Sequence, residues 1–500
     1  MIFWQRKKRK RRQRSKVNEL LIDLDLHTGI SLYEQIYRYI RKDITGGRLS
    51  CGERLPSARL LASQLQVSRS TVDAAYAQLV SEGYLQAKRG SGYYVCDIGA
   101  LYDLAQPQVQ QFSDSLQKTR GTQPKYNFLP GQVDDQGFAY NAWRKCAKEA
   151  LLALETSHQL LQAGHPQGEY ELREAVASYL YQARGVRCQP RQLVIGAGNE
   201  YLLQMLGQMF AKGAGKVAME SPTYLQAYHT FQNIGYEVVA VPMDDYGMVA
   251  DKIPDTDLTF AYVMPSHQFP IGTVMPLKRR LELLAWAKAG EQRYIIEDDH
   301  DSEFRYKGRP IPSLQGISQL DRVIYLGTFS NSIMPSIRIS YMVLPPQLVD
   351  VYARTCGFYA STVSKIQQMT VCHFIKQGYF ERHLNKMRGI YKSKHDLLLY
   401  LLKQKEWVYR IYGGHAGLHL AVELDCGLTE EEVSKRAEKY GMCVQGLAEC
   451  YPAGDGKRGV RPVMLLGFGR LSEKEIRDGV EILERCLQEG GDQAVGLIPQ

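Results

Sequence analysis

From Tyr126 onward, short β-rich runs alternate with helical segments, and this alternation constrains the fold more than any other feature of the chain. Leu193–Gly196 (LVIG), Lys216–Met219 (KVAM), Val238–Val241, Phe260–Val263, Tyr294–Ile296 and Val323–Leu326 read as strands. Asn199–Phe210, Thr223–Gly235 and the amphipathic stretch Leu277–Gly290 read as helices. A repeat of this kind predicts a doubly wound α/β domain, whose ligand crevice lies at the carboxyl ends of the strands. From about Lys386 to Glu489 a second alternation predicts a smaller C-terminal α+β subdomain.

The N-terminal region carries a different pattern. Leu32, Ile36, Ile40 and Ile44 mark one face of a helix that Gly46-Gly47 stops. Leu55-Pro56-Ser57 opens a second helix, with Leu60, Leu61 and Leu65 expected to face inward. Ser68 is suited to cap a third, whose apolar face is Val72, Tyr76, Leu79 and Val80. Tyr84–Val95 then alternates like two strands around Arg89-Gly90-Ser91-Gly92. Three helices and a hairpin make a winged helix-turn-helix, which sets the N-terminus of its third helix in the DNA major groove. Ser68, Arg69, Ser70 and Thr71 lie at that end, where free amides favour phosphate and Arg69 can reach a base edge. Lys88 and Arg89 on the wing can contact backbone or minor groove.

Asp97–Lys125 is polar, rich in Gln and without strong period, as a linker would be. The expected organisation is a basic disordered tail over 1–23, a winged helix over 24–96, a linker over 97–125 and the α/β body over 126–490. The formal charge of +9 sits in the tail, because the run Arg6–Lys16 holds nine basic residues and no acid. That run can add phosphate contacts to DNA binding, or be a solvated extension. No apolar stretch spans a membrane; LLIDLDL is broken by Asp23 and Asp25. Ten scattered cysteines without a CxxC pair suggest reduced thiols in a cytoplasm, and no metal-ligand spacing appears.

Several polar groups fall just after the body's strands. Gly196-Ala197-Gly198-Asn199 opens a helix and can cradle a phosphate, or be an ordinary glycine turn. Tyr224 can stack on a flat ring or pack in the core. The acids of Glu297-Asp298-Asp299-His300-Asp301 need a cationic partner, such as a protonated pyridine nitrogen, or water. Arg338 can clamp a phosphate.

These stretches together carry a resemblance. SLYEQIY, GGRLSCGERLPSARLLA, VSRSTV and GYLQAKRGSGYYV resemble the GntR-type winged helix, over about Leu24–Cys96. HPQGEYELREAVASYL, RGVRCQPRQLVIGAG, PSHQFPIGTVMPLKRR, EDDHDSEFRY and GTFSNSIMPSIRISY resemble the aspartate-aminotransferase fold of fold-type I pyridoxal phosphate (PLP) enzymes. Fused in this order, the two halves look like a MocR-type transcriptional regulator. The resemblance implies a cytoplasmic homodimer that binds double-stranded DNA and a small-molecule effector, PLP-related or amino-acid-like. It implies DNA contacts from Ser57, Arg59, Ser68, Arg69, Ser70 and Thr71. In the body it implies a phosphate held by Gly198, Asn199, Thr328, Ser330 and Arg338, with Tyr224 stacked on the ring and Asp298 at the ring nitrogen.

Three departures touch that cofactor. Asn331 stands where the family has its Schiff-base lysine, seven residues before Arg338. A carboxamide cannot condense with an aldehyde as an amine does. His300 stands for a tyrosine near the ring hydroxyl, and Ala163 for a tyrosine that reaches the partner's phosphate. All three are expected to line one pocket. The expectation is therefore a regulator rather than an enzyme, with PLP noncovalent if bound. An aminotransferase with an attached DNA-binding head is the alternative.

Overall fold

The computed structural model describes residues 20, 22–25, 29–98, 124–210, 215–254, 257–306, 311–452 and 461–488. The basic run at 6–16 and nearly all of the expected linker lie outside them. The chain divides into two compact units, Met1–Thr119 and Arg120–Gln500.

In the first unit three helices, α1 (Leu32–Thr45), α2 (Ala58–Leu65) and α3 (Arg69–Ser81), precede a hairpin of β1 (Leu85–Lys88) and β2 (Gly92–Val95). Each helix is set by its own sequence. The α1 stripe Ile36, Tyr37, Ile40 and Ile44 is buried, and Gly47 turns the chain at φ 74°. Ser57 and Ser68 cap α2 and α3, each Oγ accepting a backbone N–H, from Leu60 and Thr71 respectively, at 3.2 Å. Val72, Ala75, Tyr76 and Leu79 seal α3 onto the core. Two expectations are corrected. Leu60 is 46% exposed, because the inward face of α2 runs through Ala58, Leu61 and Ala62. Leu20 and Ile22, assigned to the tail, are buried in this core, since their apolar side chains find cover there.

The second unit begins with β3 (Tyr126–Asn127), which pairs in parallel with Met442–Cys443. Its main sheet has eight strands: β4 (Leu193–Gly196), β5 (Lys216–Ser221), β6 (Glu237–Asp244), β7 (Gly247–Met248), β8 (Leu258–Val263), β9 (Tyr294–Asp299), β10 (Val323–Thr328) and β11 (Ser340–Val343). They lie in the order β4-β11-β10-β9-β8-β5-β6-β7. The pairs β6–β5, β5–β8, β8–β9 and β9–β10 are parallel, whereas β11 runs antiparallel to β10 and β4. Such strands are covered on both faces, which explains their continuous apolar runs. A four-stranded antiparallel sheet of Val408–Tyr412, His419–Leu424, Val463–Gly467 and Gln445–Gly446 forms the smaller part. One apolar cluster, from Ile195 and Tyr341 to Leu420 and Leu466, joins the two sheets.

One difference from the sequence reading bears on the site. β9 does not stop at Ile296 but continues through Asp299, so three of the acids are strand residues and all are buried. Strand alternation sends Asp298 to one face and Glu297 and Asp299 to the other. Protein groups supply their partners. Glu297 accepts the amides of Leu314 and Gln315, at 2.7 and 2.8 Å. Asp299 accepts from Arg184 Nε at 2.7 Å and from the Tyr325 hydroxyl at 2.6 Å.

Candidate functional site

At the carboxyl ends of the central strands lies a cavity of about 400 Å³. Its lining includes Gly198, Asn199, Tyr224, Asp298, His300, Thr328, Ser330, Asn331 and Arg338, so the fold brings together the body residues named above for the cofactor, Ala163 excepted. Glu200, Phe269, Asp301, Leu418, His419 and Glu449 complete much of it. Ala163 does not line it; it is exposed, so within this chain only two of the three departures meet there.

At the inner end, Asp298 accepts from the Tyr262 hydroxyl at 2.5 Å and from the Asn199 side-chain nitrogen at 3.1 and 3.2 Å. Asn199 is thereby turned toward a carboxylate rather than toward a phosphate, because a buried carboxylate demands donors. Burial raises the Asp298 pKa above the ordinary aspartate value, against the pull of His300 and of these bonds. His300 lies 3.5 Å from Asp301, whose other oxygen is 2.9 Å from His267 Nδ1. Burial opposes charge on His300, yet the carboxylates around it, Asp301 foremost, raise its pKa above the ordinary histidine value. His419 behaves oppositely: burial lowers its pKa to about 4, leaving a neutral ring.

Asn331 follows β10 and donates from its side-chain nitrogen to the His300 carbonyl at 3.1 Å. The amide is thus a local brace between two loops. Thr328 Oγ1 accepts the Ser330 amide at 3.1 Å and lies 2.9 Å from Ser340 Oγ. Arg338 adopts a left-handed backbone with φ 50°, unusual for a side-chain-bearing residue and a form of strain that collects at functional sites. Its guanidinium is paired with Glu200 at 2.8 Å. Glu200 also accepts from the Tyr224 hydroxyl at 3.2 Å. The sequence reading missed Glu200, since an acid in the first turn of a helix is ordinary dipole chemistry. It also missed Tyr262, a plain apolar-strand residue until the sheet sets it beside Asp298.

In the first unit, the residues named for DNA sit on one helix end, one cap and the wing. Ser68 Oγ lies 2.8 Å from both Ser70 Oγ and Thr71 Oγ1. Arg69 is exposed and pairs with Asp73 at 3.3 Å, a partner the sequence reading did not weigh. Arg59 and Arg89 are exposed, and Lys88 Nζ stands 4.8 Å from the centre of the Tyr94 ring.

Residues 32–95 match the bacterial regulatory proteins of the gntR family, and residues 127–447 match aminotransferase class I and II. The HTH-type transcriptional regulator YdeL of Bacillus subtilis is 40% identical, over 91% of this chain and 96% of its own. This chain belongs to the GntR-type, MocR-like HTH transcriptional regulators with an aminotransferase-like body. The probable rhizopine catabolism regulatory protein MocR of Rhizobium meliloti is 30% identical, over 93% of this chain and 95% of its own. Among solved structures, the multiple substrate aminotransferase of Thermococcus profundus matches with a TM-score of 0.65 and 26% identity, over 74% of this chain and 92% of its own. Regulator relatives therefore cover both halves, while the enzyme covers the body. Among the described residues no helix is long and apolar enough to cross a membrane.

Aminotransferases of this fold hold PLP, and the cavity offers a test of that group. The ring end fits: Asp298 is a buried acceptor and Tyr224 an aromatic wall. The covalent anchor does not: Asn331 has no amine to offer. The guanidinium suited to a phosphate is shared through one nitrogen with the Glu200 carboxylate.

Proposed function

We propose that this regulator works as a homodimer whose aminotransferase-like body binds a small molecule and carries out no amino-group transfer. Ligand in the body changes how the two winged helices fit two DNA half-sites. The carrying observation is Asn331: the side chain at the cavity position where transamination needs a nucleophilic amine is a carboxamide, tied to the His300 carbonyl. Any PLP held here is held noncovalently.

The DNA-reading part of the proposal rests on the exposed N-terminus of α3. Ser68, Arg69, Ser70 and Thr71 are to meet the major groove, Ser57 and Arg59 the adjoining backbone, and Lys88 and Arg89 the wing's contacts. The basic run at 6–16 adds phosphate contacts to those of the winged helix, and the segment 97–125 joins that domain to the body.

Supplying PLP to the purified full chain, then borohydride, tests the enzymatic side. Wild type is to show no borohydride-fixed label on any cavity residue and no transfer from any of the common amino acids to 2-oxoglutarate. Asn331→Lys is to gain the label. Turnover by the wild-type protein would overturn the proposal.

A further inference from the structure

The cavity-lining residues carry an unbalanced set of charges. Four carboxylates, Glu200, Asp298, Asp301 and Glu449, share the lining with one guanidinium, Arg338, and with the imidazole of His300, which stands 3.5 Å from Asp301. One nitrogen of that guanidinium is bound to Glu200 at 2.8 Å. It also rests directly on the glycine turn: a Cβ built on Gly198 would come within 2.2 Å of the Arg338 guanidinium. The place where a helix N-terminus would receive an anion is therefore filled by a cation with its own counter-ion. An incoming phosphate would have to share that guanidinium with Glu200 and lie beside its carboxylate.

The unsatisfied groups point the same way. Asn199 Oδ1 and Asp301 Oδ1 are buried acceptors without a hydrogen bond, although His300 Nε2 stands 3.5 Å from Asp301 Oδ1. Asn199 is 9% exposed and Asp301 3%, and both line the cavity. Buried polar atoms of this kind are ordinarily paired, so the Asn199 oxygen asks for a donor. Between them and the rim, Tyr224, Phe269, Met264 and Leu418 give aromatic and apolar walls. Such walls suit a carbon skeleton, and aromatic faces favour a nearby ammonium.

We infer that the ligand of this cavity is a cationic organic amine without phosphate or carboxylate. The inference rests on the sensing role proposed above and names its ligand class. An amino acid fits less well than the corresponding amine, because no second guanidinium or ammonium among the described lining residues would meet its carboxylate. A metal ion at His267, His300 and Asp301 is the competing cation. The geometry disfavours it. His267 Nδ1 is spent on Asp301, and its Nε2 side is closed by Gly272, where a Cβ would stand 3.0 Å away.

The test uses the full chain, dialysed against a chelator, with calorimetry and thermal shift as readouts. The probes are 1,4-diaminobutane, spermidine and benzylamine, set against 4-aminobutyrate, PLP, inorganic phosphate and zinc ion. At least one of the amines is to bind saturably and raise the melting temperature, at a concentration where the anionic probes do neither. Glu200→Gln is to weaken that amine about tenfold, the loss of one charge-assisted hydrogen bond, and to strengthen PLP by a similar factor. Tighter binding of PLP, phosphate or 4-aminobutyrate than of any amine in wild type would overturn the ligand class while leaving the sensing role intact. Stabilisation by zinc ion alone, with none from amines, would do the same. If no probe of any class binds, the sensing role itself fails, and this inference with it.

Discussion

At Asn331 the proposal turns on one functional group, a carboxamide in place of an amine, and the residue was legible because its motif surrounds it. Arg338 seven positions on and Asp298 after an apolar run were equally legible. Glu200 was not. It lies next to Asn199 in sequence but meets Arg338 only across the fold, and it changes the meaning of that arginine from a free clamp to a paired one. A titratable residue that no motif marked is Glu220 on β5. It is fully buried, and burial pushes its pKa up to about 7. The folded chain then keeps a proton that the unfolded chain releases near pH 4.5, so stability declines as pH rises from about 4.5 through 7. Glu220→Gln removes that loss. Its melting temperature is to exceed wild type by about 2 °C or more at pH 8 and to match it near pH 5, measured by calorimetry in both buffers. An equal difference at both pH values would contradict this reading.

At the scale of elements, periodicity and caps read well where one local rule decided the outcome. Helices α1 and α3 and the wing fall where apolar spacing, Ser68 and the glycines put them. Reading failed where tertiary partners decided. Leu60 looked like a core residue by type, yet the face of α2 excludes it. The acids after Ile296 looked like a loop, yet Arg184, Tyr325, Tyr262 and Asn199 reach in from other elements and let β9 keep them in the strand. The helix α3 and the wing yield a paired prediction. Arg69→Ala is to cost about 1–3 kcal/mol on a selected operator and to relax preference at one base position. Lys88→Ala is to weaken all DNA sequences alike and to lower the slope of log affinity against log salt by about 1. Fluorescence anisotropy across a salt series separates the two. The assignment of groove and wing contacts fails if Arg69→Ala leaves base preference unchanged.

For the whole molecule, two units with different histories of chemical constraint share one chain. The first keeps an exposed helix N-terminus, two serine caps and a basic wing. The second keeps the sheet and crevice of an aminotransferase, while Asn331, read as standing at the covalent anchor, is a carboxamide and Arg338, read as an anion clamp, is paired with Glu200. The two-part architecture was readable from the motifs in order; the charge balance of the cavity was not, since it sums residues from four separate stretches of chain. In the proposed function the units are joined by a coupling: a ligand in the body would have to bind one arrangement of the proposed dimer better than another, or it changes nothing at the DNA. That coupling is measured by the affinity of the full chain for a selected operator with and without a saturating cavity ligand identified by calorimetry. The account predicts a shift of about fivefold or more, the lower end of ordinary coupling free energies. An operator affinity that is the same at saturation as in the ligand's absence would contradict it.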